Sequence, residues 1–138
     1  MDWKTATAPA LDDIEILARE AFASLPAEFR ALTGQIVFMV QDFPDDEVID
    51  DMELESPFDI LGLFQGPDLA SREGASASHH PTMIFLYRRP ILDYWAEHEE
   101  ALGAIVTHVL VHEIGHHFGL SDEDMERIES ASDAVQNR

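Results

Sequence analysis

Apolar residues return at helical spacing from Asp12 to Leu25: Ile14, Leu17, Ala18, Ala21, Phe22 and Leu25 fall on one side of a 3.6-residue turn, Asp12 or Asp13 can cap the start, and Pro26 ends the run. The spacing predicts an amphipathic helix. Glu28 to Leu32 adds a turn before Thr33-Gly34. From Gln35 to Val40 the pattern becomes β-rich and apolar on both faces, as in an interior strand. Gln41 to Ser56 holds eight acidic residues in sixteen positions, with Pro44 near its start, and predicts an acidic loop with a single helical turn. Asp59 to Phe64 reads as a second strand, in which Gly62 marks a bulge or the close approach of another backbone; Thr82 to Tyr87 reads as a third. Between them Ser71 to Pro81 lacks periodicity and predicts a loop that could serve as a lid. Pro90 to Phe118 is helical in pattern, with Gly103 as the candidate break and a core-facing stripe of Leu102, Ile105, Val106, Val109 and Leu110. An acidic helix over Asp122 to Ala134 ends the series. With no repeat and no linker, one domain over 1–138 is expected.

Charge narrows the partners. Eight Lys and Arg stand against 28 Asp and Glu, a net charge of −20, which repels phosphate backbones and leaves no basic stripe. Nucleic acid is excluded as a partner on that ground. The most apolar run, Ala104 to Val111, is far short of the ~20 residues a membrane-spanning helix requires, so a protein that crosses no membrane and works in the cytoplasm is expected. With no cysteine in the chain, disulfides, thiolate zinc sites and thiol nucleophiles are impossible, and any metal must be held by histidine and carboxylate.

His112-Glu113-Ile114-Gly115-His116 matches H-E-x-x-H inside the stretch already predicted to be helical. Residues four apart on an α-helix differ by only about 40° in direction, so both imidazoles leave one face at the span of a single ion. Glu113, beside that face, is turned away from direct ligation but within reach of a metal-bound water, where a general base belongs. A third ligand requires the helix to stop and the chain to turn back. Gly119 tolerates the left-handed conformation that ends helices, and Asp122 three residues on can then reach the ion. The competing reading makes Asp122 the N-cap of the last helix and gives the third position to Glu123, Glu126 or Glu129. Two imidazoles and one carboxylate leave a fourth position open, the catalytic rather than the structural zinc arrangement.

The string His112-Glu113-x-x-His116-x-x-Gly119-x-x-Asp122 resembles that of metzincin-like peptidases whose third ligand is Asp. With Leu25-Pro26, the run from Asp59 to Gly66 and Ile84 to Arg88, the whole chain looks like the small bacterial zincin-like metallopeptidase family. The resemblance implies a zinc-dependent peptidase acting on a peptide or protein substrate, with Zn2+ held by His112, His116 and Asp122 and Glu113 as base. It also implies an α+β fold, a small mixed sheet of three to four strands packed against an N-terminal helix and a long active-site helix. One departure stands out: metzincins carry a Met-turn beneath the metal, whereas the only later methionine here is Met125, inside the terminal helix.

Candidates for an oxyanion donor are Tyr87, Tyr94, His79 and His80. His108, one turn before His112, reads as a packed or solvated helix histidine, His117 as outward-facing, and Arg88-Arg89 as local counter-charges. Two other functions fit the same residues: a metal-binding module without hydrolysis, and a two-histidine, one-carboxylate iron enzyme. Glu113 argues against the first and the helical spacing against the second.

Overall fold

The computed structural model describes residues 2–66 and 82–136. The first helix, α1 (Leu11–Ser24), buries Ile14, Ala18 and Ala21 and is entered through a hydrogen bond from the Ala10 amide to Asp13 Oδ2 at 2.8 Å. Pro26 ends it and begins α2 (Ala27–Thr33), a full short helix where one turn was expected. Strand β1 (Ile36–Gln41) follows, then α3 (Asp46–Asp51) within the acidic segment, then β2 (Gly62–Gln65). Beyond the loop expected over Ser71 to Pro81, which lies outside the described residues, come β3 (Thr82–Tyr87) and helices α4 (Arg88–Glu97), α5 (Leu102–His117) and α6 (Asp122–Gln136).

The three strands form one mixed sheet in the order β1-β3-β2, with β1 parallel to β3 and β2 antiparallel to it. The interior strand is therefore β3, and the expectation for Gln35 to Val40 is corrected: β1 is at the edge among the described residues, with Val37 and Met39 exposed and Phe38 buried. The apolar residues on both its faces had suggested cover on both sides, but only the face carrying Phe38 meets α1. The helical stretch splits at His98 to Ala101, where both flanking residues are extended, and not at Gly103. Gly103 falls in the first turn of α5, where a weak helix former costs little because the amides there have no intrahelical partner.

Helix α5 runs through the centre. Ile105, Val106, Leu110, Val111 and Ile114 are buried with Ile14 and Ala18 of α1 and with Ile84 and Leu86 of β3, in one continuous core. Gly62 is where the helix meets the sheet: a Cβ there would stand 2.7 Å from Val109 and 2.8 Å from the Phe85 carbonyl oxygen, the close approach its place in the strand had suggested. Among the described residues no helix is long and apolar enough to cross a membrane.

Candidate metal centre

The end of α5 is built by hydrogen bonds that only a left-handed residue permits. Gly119 has φ +73°; its amide donates to the His116 carbonyl at 3.2 Å, and the Leu120 amide donates to the Gly115 carbonyl at 2.9 Å. These paired bonds close the helix and reverse the chain within three residues. The next helix starts at once. Ser121 Oγ accepts from the Asp124 amide at 3.1 Å, so Ser121, not Asp122, caps α6, and the Asp122 carboxylate is released from that task. Asp122 thus sits in the first turn of α6, where its charge is also favoured by the helix dipole.

Inside this corner α5 and α6 pack closely. A Cβ on Gly115 would fall 2.5 Å from the sulfur of Met125, which is fully buried, so the glycine of the motif exists to let the two helices touch. Met125 therefore supports the flank of the histidine helix from within α6, without a Met-turn.

His112 and His116 share a face, their rings edge-on with centroids 5.6 Å apart. Burial lowers the His112 pKa, with His108 the next cause, against the opposing pull of Glu129 and Asp122; the neutral imidazole that metal binding requires is the favoured form. Burial raises the Glu113 carboxyl, with the His116 charge opposing it. A carboxylate held above its ordinary range is a stronger proton acceptor, as a base requires.

Among the described residues, the donor atoms that lie close enough to share an ion are those of His108, His112 and Glu129, the last named from sequence as a competing third ligand to Asp122. His108 Nδ1 lies 2.7 Å and His112 Nε2 3.3 Å from Glu129 Oε1, and these three atoms lie within 4.8 Å of one another. His116 and Asp122 are not part of that group, although His116 borders His112 on the same helix face. His108, read from sequence as packed or solvated, is exposed and also stacks on His112 with centroids 3.9 Å apart. The available signal was its four-residue spacing from His112. Which carboxylate of the last helix would meet it depended on the interhelical register, which no local pattern encodes.

Of the oxyanion candidates, Tyr87 is only 1% exposed and its hydroxyl pKa is pushed up to about 12 by burial, then by Asp45 and Glu113; it is a neutral core group. Tyr94 stacks on His98 at 3.8 Å. His79 and His80 lie outside the described residues. His117 is exposed but tilts against Phe64 at 4.7 Å, fastening α5 to the end of β2. Arg88 meets a counter-charge in Asp42 at 3.0 Å and donates to the Pro9 carbonyl, whereas Arg89 lies over the ring of Phe43. His108, His112 and Glu113 line a cleft of about 220 Å³ with Ile60, Leu61, Gly62 and Val109.

A small mixed sheet set against a helix that carries His-Glu-x-x-His defines the zincin class of α+β proteins. The chain belongs to the zincin-like metallopeptidase family, whose profile matches residues 33–131. No curated protein matches it. Membership implies a divalent metal, typically zinc, and the donors fit: imidazoles with carboxylates beside them, one imidazole held neutral, and a cleft in front whose far wall is apolar.

Proposed function

We propose that the protein is a zinc-dependent peptidase, hydrolysing a peptide or amide bond of a peptide or protein substrate in the cytoplasm. His112, His116 and Asp122 would hold the ion. The observation that carries this reading is Glu113: a carboxylate raised by burial, one residue from His112, facing the same cleft. A site that only binds metal has no use for such a group.

A zinc ion bound there supplies Lewis-acid polarisation of the scissile carbonyl and brings the pKa of a water toward ~7. The protein's own contributions follow from its residues. Glu113 takes the proton of the attacking water and returns it to the leaving nitrogen. Ile60, Leu61 and Gly62, along the cleft wall, offer the substrate an apolar surface beside Glu113.

The test is zinc content measured together with a broad peptide-library assay. Wild type should retain one zinc and cleave; Glu113→Gln should retain zinc with turnover reduced at least a hundredfold; His112→Ala should lose both. Zinc retained without cleavage in wild type and Glu113→Gln alike would replace the peptidase with a non-catalytic metal module. Iron with oxygen-dependent turnover would overturn zinc.

A further inference from the structure

The two motif histidines belong to a longer ladder. His108, His112 and His116 recur every four residues, so one face of α5 carries three imidazoles. Helix α6 answers with carboxylates at Asp122 and Glu129, seven residues and nearly two full turns apart, hence on a common face. Because the helices run back from the Gly119 corner, Asp122 stands toward the His116 end and Glu129 against His108 and His112.

We propose that His108, His112 and Glu129 form a second seat for a divalent transition-metal ion, one turn along α5 from the catalytic seat and competing with it for His112. The inference rests on the reading of His112, His116 and Asp122 as that catalytic seat. Two independent observations support it. The three donor atoms lie within 4.8 Å of one another, on two rings already stacked. And Glu129 Oε1 is shut off from solvent yet has no hydrogen bond among the described residues, although two imidazole nitrogens crowd it. A buried carboxylate oxygen in that condition is costly, and a cation between the three groups removes the cost. Ligand bonds of about 2.0–2.2 Å set donor atoms ~3.3 Å apart, a small opening of the present cluster. Imidazole and carboxylate donors select zinc, cobalt or nickel over magnesium or calcium. Both seats draw on the single His112 ring, whose Nε2 already faces Glu129 at 3.3 Å, so occupation of the second withholds that ring from the catalytic position.

Cobalt(II) titration followed by visible absorption and native mass spectrometry tests this in the full chain. The double variant His116→Ala/Asp122→Ala should still take up one cobalt, and adding Glu129→Gln or His108→Ala should weaken binding at least tenfold. Nitrogen-15 spectra of the histidine rings should show His108 metal-bound in the double variant with zinc. If the double variant binds cobalt no better than His112→Ala, the cluster is a His-Glu contact only and the second seat is refuted. Should the double variant lose its helical circular dichroism, His116→Ala compared with His116→Ala/Glu129→Gln reads the same difference. Failure of the two readings is separable: wild type that cleaves while the double variant takes no metal refutes the second seat alone, and a double variant that takes metal beside an inactive wild type refutes the peptidase alone.

Discussion

Gly119 shows how much can rest on one backbone angle. A Cβ there would meet nothing within 4 Å, so any penalty for a side chain comes from the left-handed φ of +73° itself. Gly119→Val should therefore destabilise the protein by about 1–2 kcal/mol in urea unfolding and weaken zinc affinity, because the turn that delivers Asp122 is disturbed; unchanged affinity would detach Asp122 from the metal. Glu113 gives a prediction of opposite sign. Its carboxyl is raised in the folded state, so between the unfolded and folded values the native protein binds more protons, and the stability this group contributes declines as pH rises through that window. Glu113→Gln should then raise the melting temperature of the metal-free protein at neutral pH by a few degrees and leave it nearly unchanged at acid pH, by calorimetry in chelator. The motif residues were legible in sequence because helical spacing alone puts His112 and His116 on one face. His108 was visible but ambiguous, since what makes it more than a surface histidine is Glu129, 21 residues further on.

The helix pair α5 and α6 was predictable as two elements but not as a corner. Apolar spacing located both, and Gly119 located the reversal; the contact between Gly115 and Met125 that fixes how closely they approach has no signature beyond a glycine and a methionine ten residues apart. Met125→Ala, removing a fully buried side chain at that contact, should cost about 2–5 kcal/mol and loosen metal binding along with it, measured by denaturation and cobalt titration in parallel. The strands were found from their composition and their ends within a few residues. Their order was not: β1 and β3 have similar residues, and only pairing decides that β3 takes the centre.

Across the molecule, a net charge of −20 over 138 residues means that like charges repel in the folded state, and salt should relieve this. Raising ionic strength from ~0.01 to ~0.15 M shortens the screening length from about 30 to about 8 Å and should raise the melting temperature; a fall would show that ion pairs such as Arg88–Asp42 outweigh the repulsion. The same charge bears on the sheet. On the face away from α1, Val37 pairs with Met83, and Met39 and Leu63 flank Phe85, an apolar strip that the described residues leave partly open. Colloidal dispersal then falls to the acidic coat: as pH approaches about 4.3, where the net charge vanishes, light scattering should climb well before circular dichroism reports any unfolding, and Val37→Lys together with Met39→Lys should delay it.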